Sequence, residues 1–189
     1  MAPKRIMARR TGGCALLLLL LAGLLGLAGC GGGGSGAGTD READARLLNE
    51  VLGRQLGAVA AYERVIPALR GADRQAARKF RAEEQEHVDA TVKVLRGIGA
   101  EADPPRETIE GNDLRHRSDY LHFLYDLESA TIDAELSLIG KLTTPWPRPL
   151  FGSMVADQAQ RLVLIRRALG AAPLEAVGSA FEDGNVPAP

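Results

Sequence analysis

Glu84 and His87 stand three residues apart in Glu84-Gln85-Glu86-His87. On a helix this spacing puts a carboxylate and an imidazole on one face, one turn apart. Such a pair either rests in solvent as a surface ion pair or acts as two ligands, and taken alone the surface reading is the commoner one. Its surroundings set this pair apart, because it interrupts an apolar stripe formed by Ala77, Phe80, Glu84, His87, Thr91, Val94 and Ile98. Three further stripes are interrupted in the same way. Gln55 lies among Leu48, Leu52, Val59, Tyr62, Ile66 and Leu69, and Glu128 and Glu135 lie among Leu121, Leu124, Thr131, Leu138 and Leu142. Gln158 and Arg161 accompany Phe151, Met154, Val155, Leu162, Ile165 and Leu169. Unpaired, each such group costs several kcal/mol on burial, so something must satisfy them.

The stripes repeat in steps of three and four, which is the helical period. The sequence predicts a first helix from Asp40 to about Arg70, opened by a capping box of Thr39 and Glu42 and kinked by Pro67. Gly71 stops it and Asp73 caps a second helix, which closes at Gly99. A third helix is predicted from about Asp113 to Leu142. Pro145, Pro147 and Pro149 punctuate the next turn, and a fourth helix covers Leu150 to Leu169. Short turns within each pair make helices one and two antiparallel, and likewise three and four. Gly99 to Asn112 is a longer join of 14 residues with two prolines. Extended, it reaches ~46 Å, enough to traverse a helix of about 26 residues (~39 Å) and bring helices two and three parallel. In this arrangement the polar interruptions meet at one level. Gln55 and His87 lie 16 residues to either side of Gly71, and Glu128 and Glu135 lie 14 and seven residues before Leu142. Gln158 and Arg161 lie eight and eleven after Leu150.

The expected fold class is all-α: a four-helix bundle of two antiparallel pairs joined by a long crossover. Residues 44–170 resemble the ferritin-like superfamily, of the bacterioferritin and rubrerythrin type. Glu84-x-x-His87 is similar to its E-x-x-H metal motif, and the run from Leu48 to Gln55, continuing to Tyr62, resembles the first helix of bacterioferritin. The segments 82–97 and 156–170 also look like a diverged internal repeat. The resemblance implies a dimetal centre with one Glu on each of helices one and three and E-x-x-H on helices two and four. Mapped onto this chain, the metal residues are Glu84, His87 and Glu128, with Gln55, Tyr62, Glu135, Gln158 and Arg161 lining the site. Gln55 stands where the family has Glu, and Gln158-Ala159-Gln160-Arg161 stands where it has the second E-x-x-H. That last register keeps the apolar face inward, whereas the competing one, on Asp157 and Gln160, would place Arg167 in the core.

Charge weighs against two metals. Glu84, Glu128 and Glu135 supply at most three negative charges and Arg161 one positive, so two divalent ions would overshoot neutrality. Gln55 is a weak ligand and Arg161 cannot ligate, but a guanidinium can stand in for a metal by forked hydrogen bonds to Glu128 or Glu135. The expectation is a degenerate, non-catalytic site holding at most one iron or other divalent ion as its cofactor. Two alternatives stay open: a working iron-binding or iron-oxidising envelope protein, with Glu135 and water completing the shell, and an apo structural or interaction module. Tyr62 is read as core, His116 and His122 as solvated, and Trp146 as packing over the bundle's end. In the tail, Leu174, Val177 and Phe181 are expected to dock.

The chain is chemically three pieces. Lys4, Arg5, Arg9 and Arg10 precede an apolar run of 14 residues, Ala15 to Ala28, too short for the roughly 20 that span a membrane. Leu27-Ala28-Gly29-Cys30 resembles a bacterial lipobox, which implies cleavage before Cys30 and a lipid on its thiol. The domains read as 1–29 signal peptide, 30–39 lipidated cysteine and Gly-rich tether, 40–170 bundle and 171–189 tail. This predicts an exported protein anchored to the outer face of the cytoplasmic membrane, or to the outer membrane. The overall charge of −1 hides the division, since four of the 23 basic residues lie in the leader against none of the 24 acids. An acidic mature domain excludes nucleic acid as partner, and two cysteines exclude a disulfide framework. The membrane is the expected partner, a protein partner is unspecified and a homodimer is left open.

Overall fold

The computed structural model describes residues 40–106, 109, 111 and 113–177. Thr39, Cys30, the leader, the tether and Phe181 lie outside the described residues. Four helices follow in order: α1 (Arg41–Val65), α2 (Gly71–Gly97), α3 (Arg117–Lys141) and α4 (Arg148–Ala168). Among the described residues there is no strand, and no helix is long and apolar enough to cross a membrane.

Cross-helix pairs give the directions. Asp44 meets Thr143, Gln55 meets Glu135 and Tyr62 meets Glu128, so α1 and α3 run antiparallel. Gln55 with Thr91 and Glu63 with Arg81 make α1 and α2 antiparallel as well. Hence α2 and α3 are parallel, as the crossover length allows. The crossover tracks α1. Asp103 donates its backbone N–H to Asn49 Oδ1 at 2.8 Å, and the Pro105 carbonyl lies against Gly53, where a Cβ would approach it to 2.6 Å. Gly111 lies near Arg64.

Helix ends differ from the sequence reading in several places. Asp40 caps α1, its carboxylate accepting from the Ala43 N–H at 2.9 Å, while Glu42 pairs with Arg46. α1 stops at Val65, because Pro67 has no N–H with which to continue the ladder. Asp73 does not cap α2; both its oxygens are taken by Arg117, at 2.5 and 3.0 Å. α3 begins four residues later than expected. Asp113 takes a left-handed turn (φ 58°), and the Asp119 carboxylate accepts the backbone N–H groups of Arg115 and His116. Trp146 is 55% exposed, although its ring edge packs against Gly97. In the tail Leu174 and Val177 are exposed and Ala176 is the residue that buries, because the turn after α4 points them outward.

The predicted stripes face inward, and their apolar residues form two clusters. One gathers Leu48, Leu52, Leu95, Leu138 and Phe151; the other gathers Tyr62, Val65, Phe80, Leu124 and Ile165. The polar residues occupy the layer between them.

Candidate functional site

All four helices contribute to this layer. Gln55, Glu84, Thr91, Glu128, Thr131, Glu135, Gln158 and Arg161 are fully buried, and His87 is 9% exposed. Every predicted site residue among the described residues therefore reaches the bundle interior, since each lies in phase with an apolar stripe.

Arg161 is the hub. Its Nη1 donates to Glu84 Oε1 and also lies 3.3 Å from Glu128 Oε1. Nη2 donates to Asp157 Oδ2 at 2.5 Å, and Nε lies 3.2 Å from Glu83 Oε2. The guanidinium also sits over the Phe80 ring, 5.6 Å from its centroid. Tyr62 donates its hydroxyl to Glu128 Oε1. A second, neutral network surrounds Glu135. Gln55 Nε2 donates to Glu135 Oε1 at 2.9 Å and Gln158 Nε2 does so at 3.4 Å, while Thr91 donates to Gln55 Oε1 at 2.8 Å.

Protonation follows from these surroundings. Burial pushes Glu128 up to about 7, against the pull of Arg161, and the neighbouring Glu84 charge pushes the same way as burial. Burial also raises Glu135 to about 7, opposed by the hydrogen bond from Gln55. For Glu84 burial acts upward too, but the His87 imidazole and the Arg161 guanidinium outweigh it and hold the carboxyl below its ordinary value. Burial disfavours the charge on Arg161, yet Glu128 and Glu84 raise its pKa nevertheless. Burial and Glu128 hold Tyr62 as a neutral phenol. Below neutrality the layer is thus one ion pair, Glu84 with Arg161, beside two carboxylic acids.

Several polar atoms are left over. Glu84 Oε2, Glu128 Oε2, Glu135 Oε2, Gln158 Oε1 and His87 Nδ1 are buried without hydrogen-bond partners. They offer places for a proton, a water or a cation. Among the described residues, however, no group of three His, Cys, Asp or Glu side chains is gathered closely enough to hold a metal ion. His87 Nδ1 is 3.4 Å from Glu84 Oε1 and its Nε2 is 3.6 Å from Asp157 Oδ2.

Asp157, Glu83 and Thr91 belong to the site but are not among its predicted members. Asp157 precedes Gln158 and is only half-buried, so the stripe pattern does not reach it. Its i, i+4 spacing to Arg161 is the available signal.

The fold has counterparts among known proteins. Residues 38–171 match the family model described as "Ferritin-like domain". A crystal structure of ferritin-like, diiron-carboxylate proteins from Bacillus anthracis str. Ames superposes with a TM-score of 0.58 at 19% identity. The match covers 69% of this chain and 98% of that one, a likeness of fold. No curated protein matches the chain. With most of its length under the family model, the chain belongs to the ferritin-like domain family.

Proposed function

We propose that this chain is an exported, lipid-anchored ferritin-like domain protein that does no redox catalysis at its centre and holds at most one divalent metal ion. The observation that carries the proposal is the seat of Arg161. Its guanidinium bridges Glu84 and Glu128 at the middle of the bundle, where both carboxylates and the arginine are inaccessible to solvent. A dinuclear centre of the kind for which the diiron-carboxylate proteins of Bacillus anthracis are named does not fit this donor set. Two of the positions that the family fills with ligating side chains are occupied by the amides of Gln55 and Gln158, which are engaged with Glu135. A third is occupied by a cation, and a guanidinium cannot coordinate metal.

The orphaned Oε2 atoms of Glu84 and Glu128 favour a second reading, in which one ion enters among Glu84, His87 and Glu128. Both readings are tested by loading the purified chain with Fe²⁺ under anaerobic conditions, counting bound metal and then admitting oxygen. At most one ion per chain and no rapid coloration are expected. Two irons with prompt oxidation would overturn the proposal. The anchor is tested separately: Cys30→Ala should abolish processing and membrane attachment, and unchanged attachment would refute it.

A further inference from the structure

Among the described Phe, Tyr and Trp residues, Trp146 is the one that is exposed, with 55% of its surface open to solvent. The turn that carries it, between α3 and α4, is firmly seated. Thr144 is buried, its N–H and that of Thr143 are held by Asp44 on α1, and Pro145, Pro147 and Pro149 restrict the backbone. One edge of the indole rests on Gly97 at the end of α2, where a Cβ would come within 3.0 Å of the ring. The ring is therefore held outward on a rigid mount. The same turn receives the incoming chain, since the Asp40 N–H donates to Thr143 Oγ1 at 2.8 Å.

We propose that this end of the bundle is a membrane-docking surface, with Trp146 inserted at the headgroup level of a bilayer that contains anionic lipid. The point where the chain enters fixes the occupant. Cys30 stands ten residues before Asp40. A lipid on Cys30 would thus hold Asp40 within ~33 Å of the bilayer. The end of the bundle that carries Asp40 also carries Trp146, and the other end, where α1 stops at Val65, is a helix of 25 residues away. Tryptophan suits the nearer place, because its large apolar ring and polar N–H match the boundary between acyl chains and headgroups. The charges agree. Arg96, Lys141 and Arg148 are exposed in the end turns of α2, α3 and α4 at this end, Arg148 also bonding the Leu142 carbonyl. Of the acids here, Asp44 is buried under the turn, Asp40 caps α1 and Glu42 pairs with Arg46, which sets the exposed Glu101 against three cations. Basic side chains beside an inserted aromatic ring attract anionic headgroups. This inference deepens the proposed lipid anchoring, and rests on it only for bringing a bilayer within reach.

The test reconstitutes the full chain into vesicles of phosphatidylcholine and phosphatidylglycerol, with Trp146, the chain's single tryptophan, as the reporter. Acyl chains brominated near the headgroup should quench its emission to about half of that in unbrominated vesicles, as expected for a ring about 5–10 Å into the boundary. Bromine at the acyl-chain ends should quench it less. The double variant Trp146→Phe with His122→Trp moves the reporter to an exposed position near the start of α3, at the opposite end of the bundle, and should remove the quenching. Emission indifferent to bromine in the unaltered chain, or equal quenching in the double variant, would overturn the inference. An emission shift that grows with protein concentration and is indifferent to bromine would assign the ring to a second copy of the chain, and overturn it as well. The unaltered chain carries the main measurement, so a variant that fails to fold leaves it intact. The mass of the Cys30 peptide tests the anchor separately. Lipidated Cys30 with unquenched Trp146 would overturn the docking surface and leave the anchor standing, and quenched Trp146 with unlipidated Cys30 would do the reverse.

Discussion

Arg161 and Glu84, each 1% exposed, form an ion pair at the centre of the bundle, 77 residues apart in sequence. The same nitrogen of Arg161 reaches Glu128 on a third helix. The pair joins α4 to α2 and α3 at the one depth where the apolar core is interrupted. Arg161→Ala would leave two buried carboxylates without their cation, and a loss of about 3–5 kcal/mol is expected. Chemical denaturation of the variant measures it. Pairing Arg161→Ala with Glu84→Gln should recover part of the loss, because the amide removes the uncompensated charge.

Stability should fall as pH rises toward and through neutrality. Glu128 and Glu135 have an ordinary value of 4.5 and are both raised to about 7 by burial. The folded chain therefore binds more protons than the unfolded chain between these values. Their contribution is complete below 4.5 and lost as pH passes about 7. Glu84, whose pKa is lowered, works in the opposite sense and contributes above its ordinary value. Thermal melts between about pH 5.5 and 8.5 should show the decline, and Glu135→Gln should flatten it by removing one of the two groups. A melting temperature that rises over that range would contradict the protonation scheme.

Asp44 fastens the turn between α3 and α4 to the start of α1. It accepts the backbone N–H groups of Thr143 and Thr144 at 2.8 Å each, and the Thr143 hydroxyl at 3.1 Å. Asp44→Ala leaves both N–H groups unpaired and should cost about 2–4 kcal/mol. Asp44→Asn should cost less, since one carbonyl oxygen survives. Equilibrium unfolding of the two variants distinguishes these outcomes.

Gly53 allows the crossover to press on α1. A Cβ there would come within 2.6 Å of the Pro105 carbonyl oxygen, a backbone atom that cannot rotate away. Gly53→Ala should therefore destabilise by about 1–3 kcal/mol, despite alanine's better helix propensity. Hydrogen exchange should place the added mobility in the crossover. A stabilised variant would mean that the crossover does not rest there.

The helices and their inward faces were legible because burial in a bundle imposes a period, and Gln55, Glu84, Glu128, Glu135, Gln158 and Arg161 each keep that period while breaking its polarity. The length and prolines of the crossover likewise carried the parallel arrangement of α2 and α3. Helix ends were less legible. The partner that claims Asp73 is Arg117 on another helix, and a local capping rule cannot see it.

The sequence by itself determined an all-α chain with polar residues at one depth of four stripes, because hydrophobic period and connection length are local properties. Only the tertiary structure decided what those residues do with one another. Arg161 could have bonded Glu128 or Glu135, and it reaches Glu84 and Glu128 because α4 packs antiparallel to α2 at that register, leaving Glu135 to the two amides. The same packing turns His87 toward Asp157, at the edge of a cavity. Side-chain partnership in a buried layer depends on helix rotation and separation, which no single helix encodes.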